Sequence, residues 1–153
     1  MLVKQLLALK HDAAKPWIES GTIVTIKPEV TLAEAAQLLA DMRIGAAVVS
    51  DDGASPIGIL SERDIVRQLG KHGVEVLKQP ISEVMTRSIQ TCAPGDDALS
   101  VLERMTEGRF RHMPVIDDEG VMLGVISIGD AVSGRLKELD AEKDALTGMI
   151  MGN

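Results

Sequence analysis

Two strings of this sequence say nearly the same thing 66 residues apart, and that repetition restricts the chain to folds that can be built twice. Gly58-Ile59-Leu60-Ser61-Glu62-Arg63-Asp64 is matched by Gly124-Val125-Ile126-Ser127-Ile128-Gly129-Asp130. The same shift sets Ile23 on Ile89, Thr25 on Thr91 and Pro28 on Pro94. Between these anchors the match drifts, with Leu32 on Leu99 and Arg43 on Arg111. The first copy is therefore expected to carry two extra residues in the turn Asp52-Gly53-Ala54-Ser55-Pro56, where a length change disturbs little packing. A unit of roughly 50 residues has little core of its own, and two packed face to face supply one.

Each copy reads as strand, helix, strand, strand, helix. In the first, residues 22–26 are β-branched and Pro28 ends the strand. Thr31 with Glu34 three residues on is a capping box, and Leu32, Ala35, Ala36, Leu39 and Met42 follow at helical spacing. Strands are expected over 44–49 and 57–60, and Ser61 opens a helix with Ile65, Val66 and Leu69 inward. The second copy starts at 88–92; Asp96 or Asp97 caps a helix carrying Leu99, Leu102 and Met105. Strands over 113–116 and 121–126 lead to a final helix beginning at Ser127. This alternation predicts an α/β (α+β-like) fold in which each copy is a small sheet packed against two helices. Helical extensions flank the pair.

Acidic residues outnumber basic ones 23 to 16, and the aromatics are Trp17 and Phe110. A broad polyanion-binding face and base-stacking platforms are thereby disfavoured, so no nucleic-acid partner is expected. A pocket for a single phosphate remains open. Cys92 is the one cysteine, which fits a reducing cytoplasm. The apolar run of residues 1–10 is too short for a secretion signal, and no later stretch reaches the length of a membrane span.

The chemistry lies in the paired Ser and Asp. A Ser hydroxyl among free amides at a helix start can meet a phosphate oxygen. A carboxylate one turn on can accept both hydroxyl protons of a ribose. The competing reading is a capping box with Asp in place of Glu, two well-made helix starts and no ligand. Gly58 and Gly124 admit close approach of a ligand or of another chain segment, and Gly129 in a first helical turn makes room at a cost in helix stability.

These strings, with Thr31-Leu32-Ala33-Glu34-Ala35, Val84-Met85-Thr86 and Arg111-His112-Met113-Pro114-Val115, make the chain resemble a tandem pair of cystathionine-beta-synthase-type (CBS) domains, or Bateman module. The resemblance covers residues 22–139 and implies a pseudo-twofold pair with two clefts between the domains. Its organisation would be an N-terminal helical arm (1–21), a first domain (22–70), a linker (71–87), a second domain (88–139) and a C-terminal helical extension (140–153). Such pairs commonly bind AMP, ADP, ATP, S-adenosylmethionine or NAD(H), and two pairs usually meet as a dimer. The resemblance gives Asp130 the ribose and Ser127 the phosphate, with Asp64 and Ser61 in the matching first-domain positions. Arg111, His112, Met113 and Pro114 would line adenine or phosphate. The first-domain counterpart, Ile44-Gly45-Ala46-Ala47, lacks a basic residue and a proline, which favours the second site.

Arg109, Arg111 and His112 form a small basic cluster in an acidic protein, and Arg63, Arg87 and Thr86 are further ligand-binding candidates. No catalytic or metal site is expected: Cys92 matches the strand position of Ile26, and His11, His72 and His112 lack metal-ligand spacing. The turns holding Asp51-Asp52 and Asp117-Asp118 read as solvated. Val132, Leu136, Leu139, Leu146 and Ile150 on the last helix either fold back onto their own domain or form a dimer seam. Trp17 reads as an anchor that docks the N-terminal arm onto the module or onto a partner chain. The expected function is a stand-alone sensor of an adenine nucleotide (AMP first, then ADP, ATP or NAD(H)) that acts as a homodimer and signals to a separate protein. The rival is a structural dimerisation or docking module with empty clefts.

Overall fold

The fold is built from two copies of one helix-and-hairpin unit, each closed by a segment from outside it. The computed structural model describes residues 1–12 and 23–151. Trp17 and the start of the first expected strand lie outside the described residues.

In the first unit, β1 (Thr25–Ile26) pairs parallel with β2 (Ala46–Val49), and β2 pairs antiparallel with β3 (Gly58–Ser61). Between β1 and β2 runs α2 (Leu32–Met42), and α3 (Glu62–His72) follows β3. Leu32, Ala35 and Leu39 bury one face of α2, and Ile65 buries that of α3. Val66, expected inward, is 69% exposed, because it lies one position round the helix from Ile65. Two short 3-10 helices, Val74–Lys78 and Ile81–Glu83, occupy the expected linker. They are part of the first core: Val76, Ile81 and Met85 are buried in it.

In the second unit α4 (Ala98–Gly108) precedes the antiparallel pair β4 (His112–Ile116) and β5 (Met122–Ser127), and α5 (Ile128–Ile150) ends the described chain. The strand expected over 88–92 is reduced to one parallel bridge, Cys92 to Val115. Neither Asp96 nor Asp97 caps α4 by its side chain. Asp96 instead accepts the Ala93 N–H (2.9 Å), and the Ala98 N–H is taken by the carbonyl of Met1 (2.8 Å). That carbonyl belongs to the segment leading into α1 (Val3–Asp12), which packs on the second unit and buries Val3 and Leu6 in its core.

The expected drift of the repeat is absent. Ala46 stands opposite Ser61 and Val49 opposite Gly58; His112 stands opposite Ser127 and Val115 opposite Gly124. Each of these positions is offset by 66, and so are the C-caps of α2 and α4, Arg43 and Arg109, both left-handed (φ 52° and 57°). The two connecting turns are therefore equal in length. The buried counterpart of Leu32 is Ala98, whereas Leu99 is exposed.

Candidate functional site

Both Ser-x-x-Asp strings are capping boxes. Ser61 leaves β3 extended and starts α3: the Asp64 N–H donates to Ser61 Oγ (3.2 Å), and the Ser61 N–H donates to Asp64 Oδ2 (2.9 Å). Ser127 and Asp130 repeat the pattern at 3.1 and 2.9 Å. Each box satisfies amides that the helix leaves unpaired. Chemistry toward a ligand must come from what surrounds the boxes, and there the two copies differ.

Beside Ser61 and Asp64 a cleft of about 400 Å³ opens between the two units. The first unit contributes Gly45 and the start of α3; the second contributes Ile89, Gln90 and the turn from Arg109 to His112. Arg63, Arg67, Arg109 and Arg111 line it against the carboxylates of Glu62 and Asp64, an excess of positive charge in a chain whose net charge is −7. Asp64 keeps one oxygen turned to Arg67, whose Nη1 is 3.7 Å from Oδ1. A guanidinium cluster beside a carboxylate at a helix start is suited to a ligand that carries both phosphate oxygens and donor hydroxyls.

Of the residues singled out from sequence, Gly45, Ser61, Arg63, Asp64, Thr86, Arg109, Arg111 and His112 face this cleft. Ile44, Ala46, Arg87, Met113, Pro114, Ser127, Gly129 and Asp130 do not line it. Met113 and Pro114 are buried in β4, and the Arg87 guanidinium donates to the Ser82 carbonyl (2.7 Å). Gly129 is exposed, and a Cβ there would meet only Ser127 Oγ, at an ordinary 3.6 Å. The basic turn of the second unit thus lines the same cleft as Asp64, while His112 also lies in the field of Asp130. Structural counterparts also shift by one from the sequence match: Gly45 stands for Arg111 and Ala46 for His112. Glu62, Arg67, Gln90 and Phe110 were not foreseen. Arg67 was legible, since three residues beyond Asp64 on a helix is the same face.

Asp130 has a different neighbour. Lys10 at the end of α1 places its Nζ 3.0 Å from Asp130 Oδ2 and 2.7 Å from the Val125 carbonyl. The close approaches at the two strand glycines are made by the chain itself. A Cβ on Gly58 would stand 2.6 Å from Met85 Sδ, and one on Gly124 2.7 Å from Leu7 Cδ2.

His112 lies between the two copies, its ring 3.8 Å from where a Cβ on Gly45 would be. Burial holds its pKa below the usual 6.5; Lys10 and Arg111 push the same way, against Asp130 and Glu62. Cys92 is buried, and burial raises its thiol pKa to about 11, so it supplies no thiolate nucleophile. The acidic turns are held by their own backbone: Asp52 Oδ1 accepts from Ala54 and Ser55, and Asp117 Oδ1 from Glu119 and Val121. Among the described residues no cluster of three metal-ligating side chains occurs, and no helix is long and apolar enough to cross a membrane.

The family model described as CBS domain matches residues 19–71 and 81–136, one match for each repeat. The chain belongs to the CBS domain family. This CBS pair is similar to the crystal structure of a CBS-domain protein of Agrobacterium tumefaciens (TM-score 0.77, 37% identity, 88% of this chain and 99% of that one). It is also similar to a CBS domain protein of Pyrobaculum aerophilum complexed with AMP (TM-score 0.69, 27% identity, 85% and 89%). Among curated relatives it is 32% identical over 126 residues to the mitochondrial CBS domain-containing protein CBSX3 of Arabidopsis thaliana, covering 80% of this chain and 61% of that protein. The CBS pair spans 67% of the length of one curated relative and 21% of others. CBS pairs are regulatory modules rather than catalysts.

Proposed function

We propose that this CBS pair is a sensor of an adenosine-containing nucleotide, bound in the cleft beside Asp64. The ribose hydroxyls would donate to the Asp64 carboxylate, and the phosphates would lie among Arg63, Arg67, Arg109 and Arg111. One observation carries the reading: a cleft between the two repeats collects four arginines from both of them around a helix-start carboxylate. The AMP complex of the Pyrobaculum relative supports the choice of ligand class. AMP is the first candidate, with ADP, ATP and NAD(H) following. A ligand bridging the units biases their relative geometry only so far as it prefers one arrangement over another. The buried, unpaired thiol suits a reducing compartment, and we place the module in the cytoplasm.

Calorimetric titration with AMP, ADP, ATP, NADH and S-adenosylmethionine tests this. Wild type should bind at least one of them. Arg111→Ala should weaken binding roughly ten- to hundredfold, as expected for loss of a charge-assisted hydrogen bond of about 1.5–3 kcal/mol. Absence of heat with all five would end the sensor reading; unchanged affinity in Arg111→Ala and Asp64→Ala would move the site elsewhere. We also propose a homodimer through α5, favoured by exposed Leu136, Leu139, Leu146 and Ile150 on its outer surface.

A further inference from the structure

The constant offset makes Asp130 the structural counterpart of Asp64, yet only Asp64 opens onto the cleft. On the first unit the ground beside β3 is covered by the segment around Met85 and Thr86. Met85 lies over Gly58, and the Thr86 N–H donates to the Ile59 carbonyl (2.9 Å). On the second unit α1 takes that place: Leu7 lies over Gly124, and Lys10 Nζ donates to the Val125 carbonyl, the counterpart of Ile59. The parallel then breaks. The Thr86 contact ends at the backbone, whereas the Lys10 ammonium reaches on to the Asp130 carboxylate.

We propose that Lys10 is a latch that closes the second repeat's site, so that the pair has one open nucleotide site, at Asp64, and one held shut by its own chain at Asp130. The proposal rests on reading the Asp64 cleft as a nucleotide site. Asp130 already gives one oxygen to the Ser127 N–H, and Lys10 takes the same oxygen. A ribose arriving there must compete with an ammonium that has two acceptors and is seated by a helix anchored elsewhere. That anchor is strong: Val3 and Leu6 are buried, the Val3 N–H donates to the Asp96 carbonyl and the Lys4 N–H to the Pro94 carbonyl (both 2.9 Å). The charge-assisted bond makes the closed site about ten- to hundredfold weaker than an open one. Removing Lys10 opens it; repacking α1 is not required, because the Lys10 side chain is half exposed.

Calorimetry of the full chain with AMP and, separately, ATP decides the matter by stoichiometry. Wild type and Lys10→Arg should bind one equivalent per chain. Lys10→Met, which keeps the aliphatic stem, should bind two, and adding Asp130→Ala to it should restore one. Two equivalents in wild type, or one in Lys10→Met, overturns the latch and leaves the Asp64 reading standing. If wild type binds neither ligand but Lys10→Met binds one that Asp130→Ala abolishes, the latch holds and the Asp64 reading fails. No heat from either protein defeats both.

Discussion

His112 sits where the two repeats meet, and its protonation reports on both. Burial and the nearby Lys10 ammonium hold it neutral below its ordinary pKa. Above about pH 6.5 the imidazole is neutral in both the folded and the unfolded chain, so it contributes no pH dependence. As pH falls below that value the unfolded chain takes up a proton that the folded chain resists, and stability is lost until pH passes below the folded pKa. Urea unfolding of His112→Gln should therefore show a flatter decline than wild type between about pH 6.5 and pH 5. A phosphate placed in the cleft acts oppositely, raising the His112 pKa and drawing in a proton as the nucleotide binds. Titrations in buffers of differing ionisation enthalpy would show that uptake, and His112→Gln would remove it. The residue was visible in the sequence as part of a basic cluster, but the nearby Glu62 carboxylate of the other repeat was not: local spacing in one string carries no information about which helix start lies across a domain boundary.

At the scale of elements, each hairpin depends on a segment that covers its glycine. Gly58→Ala would drive a methyl against Met85 Sδ and to 3.0 Å from the Thr86 carbonyl, a backbone atom fixed by its bridge to Ile59. Gly124→Ala meets only the Leu7 side chain, closest at Cδ2, its far end, and no backbone atom. Gly58→Ala is expected to cost about 1–3 kcal/mol and Gly124→Ala less than about 1 kcal/mol. Equilibrium urea unfolding checks the order. The order of elements was legible because capping residues and hydrophobic period agreed, as at Thr31-x-x-Glu34. The register of the repeat was misjudged where leucines were matched as leucines: Leu32 is buried, Leu99 is not, and the buried equivalent is the small Ala98. A covering segment bonds to the backbone at both positions, Gln79 at Leu32 and Met1 at Ala98, so the equivalence lies in backbone geometry that residue type does not record.

At the scale of the whole molecule, α5 carries the longest uncovered apolar face. Beyond Gly134 none of its residues through Ile150 is buried; Leu136 is 58% and Leu146 59% exposed. The start of α5 packs on its own domain through Ala131 and Gly134, but Leu136, Leu146 and Ile150 do not fold back onto it. Under the dimer proposal, Leu139→Asp combined with Leu146→Asp should halve the mass seen by light scattering at micromolar concentration while leaving thermal unfolding of the core intact. An unchanged mass would leave the helix to another partner. The pseudo-symmetric pair was readable from duplicated strings; the unequal fate of its two halves was not, since that depends on α1, whose own periodicity does not say which half it joins. The seat of α1 also bears on how the protein is made. Its first unit can close as soon as the 3-10 segments leave the ribosome, but α1 must wait, with Val3 and Leu6 uncovered, until β5 and the start of α5 emerge. A helix translated before either repeat is thus among the last elements to find its place.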